Sequence, residues 1–230
     1  KQAINNQPNV KNTVDYTQAD TDKQDAYNQA VTEAQQLITQ NATQQQIDQA
    51  LQAINNAKQD LNGDEKVAES QKQAKQTIDQ LQHLNQAQHQ SLIEQVEQSQ
   101  DLNNINQIVD DAKALNQAMN DLQNAVVNSE GPTKTSGNYI NADTSLQHDF
   151  DQAITNANKA LDKPTGSNLS IDQVNQLKEA IDTTKAALNG DQRLNDTKVK
   201  ALQDLNQLNH LNDAQKEFAT QQINNADILK

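Results

Sequence analysis

The segment from Tyr16 to Val31, YTQADTDKQDAYNQAV, superimposes without a gap on Tyr139 to Ile154, YINADTSLQHDFDQAI, at an offset of 123 residues. Any fold for this chain must satisfy the same pattern twice, so the unit of construction is a repeat rather than one 230-residue core. After four extra residues around KPTG in the second copy, LNGD at Leu61–Asp64 matches LNGD at Leu188–Asp191. Further on, LQHLNQAQ at Leu81–Gln88 matches LNHLNDAQ at Leu208–Gln215. The period is about 125 residues, a length that holds several helices per copy. Residues 101–127 have no second counterpart and KQAINN reads as the tail of a preceding element. The chain is therefore expected to be out of phase with its repeat.

Within one copy the apolar spacing is helical. Tyr27, Ala30, Val31, Ala34, Leu37 and Ile38 follow the three-four alternation of one face after Thr21 and Gln24, a capping-box pair, and predict a helix over about 21–41. Thr43 with Gln46 opens the next, whose face is Ile47, Ala50, Leu51, Ile54, Ala57 and Leu61. Gly63 then sits where a helix end favours a residue free to take positive φ. Its twin runs from Ser170 with Gln173 to Gly190. A third helix carries Val67, Ala74, Ile78, Leu81 and Leu84, and a fourth starts at Asn85 with Gln88 and carries Leu92 and Val96. The fifth carries Ile105, Ile108, Ala112, Leu115, Met119, Leu122 and Val126 over roughly 26 residues, or about 39 Å. The tracts 5–20 and 128–143 read as ordered non-helical crossings.

These stripes are narrow and rich in Ala, so each helix must pack against at least two others. The fold class expected is all-α: tandem three-helix bundles sharing a long helix, built into an elongated rod. The 38 Gln and 30 Asn would suggest disorder were they not laid out at helical spacing. Aromatics at 2% are too few for most enzyme pockets, and the absence of Cys removes disulfides, thiolate metal sites and a cysteine nucleophile. A net charge of −13 without a basic stripe argues against nucleic acid and anionic membranes as partners. No window approaches the roughly 18 to 20 apolar residues of a membrane span.

Two module types are visible in these motifs. LNGDEKV followed by LQHLNQAQ, and LNGDQRL followed by LNHLNDAQ, resemble the GA module, a three-helix bundle. The segments beginning YTQAD and YINAD, with AYNQAVTEAQQL and TQQQIDQALQAINNAKQDL, resemble the FIVAR module. Their alternation is similar to the repeats of the Ebh family of staphylococcal surface proteins, in which the last GA helix also serves as the first FIVAR helix. The expected modules are a FIVAR-like 1–62 (1–6 the tail of a preceding helix), a GA-like 63–127, a FIVAR-like 128–190 using 103–127 as its first helix, and a GA-like 191–230 truncated before its third helix. The resemblance implies a very long protein attached to the bacterial cell wall through regions outside this segment, hence extracellular. It also implies attachment to extracellular matrix, chiefly fibronectin. A helix shared by two bundles prevents free swivelling, which adds a mechanical argument for a stiff rod with weak, multivalent matrix contacts. The alternative from another class is a specific binder of a host serum protein, albumin or immunoglobulin. The chain is expected to be a monomer.

Candidate sites are few. His83 and His210 occupy equivalent places near a helix C-terminus, where a histidine interacts favourably with the last carbonyls, and His89 and His148 add no metal-ligand spacing. Asp110 and Asp111 are helix neighbours that point in different directions and cannot act as an acid/base pair. No phosphate loop, nucleophile elbow or Cys/His cluster is present, so no catalytic, cofactor-binding or metal-binding residue is assigned, no cofactor is expected and the chain is not read as an enzyme. Tyr16, Tyr27, Tyr139 and Phe150 form two equivalent pairs, as core packing produces, whereas Phe218 faces Ser91 in the other copy and is the aromatic expected to be free. The albumin contacts of related GA modules are apolar and aromatic. Gln90, Ser91, Glu94, Gln95 and Glu97 around Leu92 and Val96 are polar and acidic, so albumin binding is not carried over, and the ligand-binding residues are unknown.

Overall fold

The computed structural model describes residues 1–229. All regular structure among them is helical, and the chain divides into two compact units: residues 1–82 with 89–113, and 83–88 with 114–230. One element belongs to both. Helix α8 runs without interruption from Leu102 to Lys134, 33 residues or about 50 Å, and passes from the first unit to the second after Lys113. The fold is thus an all-α series of helical bundles with a shared long helix.

The first unit begins with three short helices, α1 (Gln2–Asn5), α2 (Gln7–Lys11) and α3 (Val14–Thr17). They are followed by α4 (Thr21–Thr39) and α5 (Gln44–Gln59), which pack as a hairpin, and by α6 (Gly63–Asp79) and most of α7 (Gln86–Gln98). Thr43 starts α5 with a complete capping box to Gln46. Tyr27, Val31, Ile54 and Leu61 are buried with Ala19, Ala30 and Ala34, and Tyr16 packs against this cluster. Burying each large side chain contributes about 1.5–3 kcal/mol, while each Ala lets helices approach and contributes little.

The second unit holds the rest of α8, then α9 (Gly137–Ile140), α10 (Thr144–Leu161), α11 (Ile171–Ala187), α12 (Gly190–Asn206) and α13 (Asp213–Asn225). Phe150, Ile154, Val174 and Ile181 fill its core at the positions matching Tyr27, Val31, Ile47 and Ile54. The expected stripe of α8 is buried throughout, from Ile105 to Val126.

Several details differ from the sequence reading. The tracts 5–20 and 128–143 are mostly helical turns, and α8 continues seven residues past Val127 through Gly131 and Pro132. Composition reads this stretch as a loop, but Ser129 and Thr133 are buried on the α8 face, and packing overrides propensity. The turns themselves match: Thr13 Oγ1 accepts from Tyr16 N, and Ser136 Oγ from Tyr139 N, both at 3.2 Å. Thr21 and Gln24 do not form a capping box, because Gln24 Nε2 donates to Tyr16 O at 2.7 Å. Neither Gly63 nor Gly190 has positive φ. Each begins a helix rather than ending one. Ile38, Ile47 and Leu51, expected to be buried, are 45–48% exposed and line a groove of about 310 Å³. At the positions matching the end of α8, the first unit has α1 and α2.

Candidate functional site: the joints of the repeat

The most specific polar chemistry lies where α3 and α9 meet the helices that follow LNGD. Asp20 N donates to Asn62 Oδ1 at 3.0 Å, and Asn62 Nδ2 donates back to Asp20 Oδ2 at 2.8 Å. Lys66 Nζ lies 2.6 Å from the other carboxylate oxygen. Lys66 and Asn62 hold the Asp20 carboxyl below the usual carboxylate range. A lone exposed ion pair contributes little, but here one aspartate joins two elements through three bonds, two to its carboxylate and one from its backbone N–H. Gly63 follows Asn62 directly. A Cβ at Gly63 would fall well inside contact distance of the carbonyl oxygens of Val14 and Asp15. The glycine is required by close backbone approach, not by backbone conformation.

The second copy repeats the device. Asp143 N donates to Asn189 Oδ1 at 3.0 Å, Asn189 Nδ2 to Asp143 Oδ2 at 2.7 Å, and Arg193 Nε lies 3.1 Å from Asp143 Oδ1. Arg193 uses a second nitrogen to reach Asn141 O at 2.6 Å, which Lys66 has no group to do. A Cβ on Gly190 would collide with Asn138 O. The residue ahead of each Asn, Leu61 or Leu188, is buried. Every position of LNGD except its last thus has the same role in both copies. At the last, Asp191 N donates to Asn138 Oδ1 at 3.0 Å, where the first copy has Asp15.

Amide side chains at the ends of α3 and α9 make a second set of matched contacts. Gln18 donates to Asp101 Oδ2 at 3.2 Å and accepts from Leu102 N at 3.1 Å, tying α3 to the start of α8. Its counterpart Asn141 donates to Asp227 O at 2.9 Å and accepts from Leu229 N at 2.7 Å.

The turn between α6 and α7 sits on the α10–α11 loop. Asn85 and Gln88 are fully buried and form a reciprocal cap, Asn85 N to Gln88 Oε1 at 3.1 Å and Gln88 N to Asn85 Oδ1 at 2.9 Å. Asn85 Nδ2 then donates to Ala160 O and Ser167 O, Gln88 Nε2 to Leu169 O, Gln86 N to Lys163 O, and Lys163 Nζ to Leu84 O. Burial lowers the Lys163 pKa. Lys163, the first of the four inserted residues, supplies two of these contacts, through its carbonyl and its Nζ.

Comparison with known proteins places these joints. The FIVAR domain model matches residues 1–62 and 118–189, and the GA module model matches 64–118 and 191–230. The chain belongs to the FIVAR and GA module family. It is 54% identical over 229 residues to extracellular matrix-binding protein EbhA of Staphylococcus aureus strain Newman, covering 100% of this chain and 7% of that protein. It is equally similar to extracellular matrix-binding protein ebh of strain NCTC 8325, of which it covers 2%. A crystal structure of the 756–1003 domain of S. aureus EbhA superimposes with a TM-score of 0.91 at 34% identity, covering 98% of this chain and 91% of that one. A structure from a study of Embp-mediated Staphylococcus epidermidis adherence to fibronectin gives 0.50 at 26% identity over 54% of this chain and 98% of that one.

The joints are therefore FIVAR–GA joints, and α8 is the helix in which the GA and FIVAR matches meet, at residue 118. Residues singled out from sequence are dispersed over both modules. His83 and His210 lie four residues beyond the last residues of α6 and α12. His83 N donates to Asn116 Oδ1 at 2.8 Å, and its ring lies 3.3 Å from Gln123 Oε1, while His89 pairs with Asp79. Asp110 and Asp111 are exposed, the first 3.3 Å from Lys113 and the second accepting from Gln107. No cluster of three or more His, Cys, Asp or Glu fit for a metal occurs among the described residues.

The aromatic pairs share one geometry. Tyr16–Tyr27 and Tyr139–Phe150 both stack edge to face with centroids 6.0 Å apart at 69°. Their polar ends differ. Tyr16 OH accepts from Asn28 at 2.8 Å, whereas Tyr139 OH donates to Asp151 at 2.9 Å, and Asp151 pairs with Lys134 at 3.2 Å. Asp151 raises the Lys134 pKa, and burial followed by the Asp151 contact raises that of Tyr139. Phe218 is 64% exposed. Leu92 and Val96 are buried, leaving Gln90, Glu94, Gln95 and Glu97 on the outer face of α7. Sequence reasoning missed the Asp20, Asn62 and Lys66 joint and its copy. The gapless match of Asp20 with Asp143, together with the repeated LNGD, was the signal that pointed to it.

Proposed function

We propose that this chain is a repeat segment of a bacterial cell-surface protein that works by projecting linked helical modules as a stiff rod and touching extracellular matrix weakly at many places. Counting α8 into both neighbours, the modules are 1–62, 63–127, 128–190 and 191–230. The observation that carries the reading is duplication of the joint. Asp20, Asn62, Gly63 and Lys66 recur as Asp143, Asn189, Gly190 and Arg193 with the same bonds, while the exposed aromatic Phe218 has Ser91 as its counterpart. What recurs is the means of holding modules together, which suits a spacer whose attachment comes from copy number. The relatives are named for extracellular matrix binding, and a structural neighbour was studied for fibronectin adherence, which supports fibronectin as the matrix ligand. On this reading the protein works outside the cell, anchored through regions other than this segment.

The test is a titration of the chain on immobilised fibronectin, with albumin in parallel and at two salt concentrations, combined with small-angle scattering. Weak saturable fibronectin binding, no albumin signal and an extended scattering profile are expected. A tight one-to-one albumin complex would replace this reading with that of a serum-protein binder.

A further inference from the structure

Asn–Gly occurs twice in the chain, at Asn62–Gly63 and Asn189–Gly190, both inside a joint. This dipeptide is the one most prone to deamidation, because glycine has no side chain to hinder attack by its own backbone nitrogen on the preceding side-chain amide. The joint demands both residues. The asparagine is needed because it must donate to and accept from the same aspartate, and the glycine because a Cβ would collide with the carbonyl of Val14 or Asn138. The sequence therefore cannot avoid the hazard by substitution.

The folded joint blocks the reaction in two ways. Ring closure requires the asparagine Cβ and the next backbone nitrogen to be eclipsed about the Cα–C bond, far from the ψ of 21° at Asn62 and 15° at Asn189. Each side-chain amide is also held by two bonds to its aspartate, at 2.8 and 3.0 Å in one copy and 2.7 and 3.0 Å in the other. Both restraints disappear when the joint opens. We propose that Asn62 and Asn189 are deamidation sites protected by their joints, so that a joint held open is converted irreversibly and does not re-form as before.

In the reaction the backbone nitrogen of Gly63 bonds to Asn62 Cγ while the Cγ–Nδ2 bond breaks, and the backbone proton leaves with Nδ2 as ammonia. Water then opens the succinimide at either carbonyl, giving aspartate or isoaspartate. The product has lost the N–H that donated to Asp20 and places a second carboxylate beside it, where like charges repel. The isoaspartyl product also adds a methylene to the backbone at the residue preceding α6.

The test follows amide-to-acid conversion by peptide mass spectrometry during incubation of the whole chain at mildly alkaline pH and physiological temperature. Asp20→Ala removes the partner of Asn62 and leaves the second joint as an internal control, and Asp143→Ala does the reverse. Conversion at Asn62 should rise on the order of tenfold in Asp20→Ala with Asn189 unchanged, the factor that loss of one charge-assisted hydrogen bond makes in an opening equilibrium. The mirrored result is expected for Asp143→Ala. Equal rates at Asn62 in parent and Asp20→Ala would overturn the proposal, as would equal rates in the folded parent and the urea-unfolded chain. Acceleration of both sites by either variant would overturn it too, since modification would then follow global unfolding rather than the joint.

Discussion

Asn62 donates to Asp20 at 2.8 Å and accepts from its backbone at 3.0 Å, and 127 residues later Asn189 does the same to Asp143 within 0.1 Å. Two segments that have exchanged Lys for Arg and Asp for Asn around them keep this pair unchanged. The geometry of the joint is thus more restrictive than its composition.

Glycine substitutions separate crowding from helix propensity. Gly63→Ala should destabilise the first joint by about 1–3 kcal/mol, because the added methyl has backbone against it and no flexible side chain to displace. Gly131→Ala, inside α8 with nothing within 4 Å of a built Cβ, should stabilise by about 0.5–1 kcal/mol. Urea denaturation of the two variants checks both signs, and a stabilising Gly63→Ala would refute the close approach.

Acid should loosen the first joint. Lys66 and Asn62 hold the Asp20 pKa below its unfolded value, so the contribution is fully present above the ordinary carboxylate pKa. It is lost as pH falls through the depressed folded value. Hydrogen exchange at Asp20 and Asn62, followed from neutral pH downward, should show protection failing only below the usual carboxylate range.

Asn85→Ala should destabilise the second unit by about 2–4 kcal/mol. It removes the cap of α7 and leaves the buried carbonyls of Ala160 and Ser167 without their donor. Exchange protection should fall at Gln86, whose amide bonds to Lys163 O, while α4 and α5 are unaffected. Loss of protection in α4 would contradict the placement of residues 83–88 with the second unit.

Leu115→Pro interrupts α8 two residues past the point where it changes units, at a position 8% exposed. Proline there costs about 3 kcal/mol or more through a lost hydrogen bond and a ring clash. Exchange should accelerate in both units, at Ile105 and at Leu122. Protection retained on one side would show that the two halves of the helix are held independently.

Much of this was legible in the sequence. Helical periodicity gave α4, α5, α7 and the buried stripe of α8, and capping boxes at Thr43 and Ser170 are formed as read. Both are local signals, set by side-chain direction on one helix. The continuation of α8 through Gly131 and Pro132 was hidden because it depends on the burial of Ser129 and Thr133, small polar residues that carry no hydrophobic signal. The joints were hidden for a related reason. Asp20 and Asn62 are 42 residues apart, and an amide–carboxylate pairing over that distance has no period to detect. Gly63 was visible as special, but its cause lay in the backbone of Val14 rather than in its own φ.

The Lys163–Gly166 insertion gives the repeat an order as well as a copy number. Tandem arrays gain and lose whole periods by recombination between matching stretches, a process harmless only if the periods are interchangeable. Here the α6–α7 turn is fitted to the longer loop of the second FIVAR module, and the corresponding loop of the first, ending at Thr43, is four residues shorter. A crossover that put the shorter loop in that place would keep every module intact and in frame, yet remove Lys163 and with it the bonds to Gln86 N and Leu84 O.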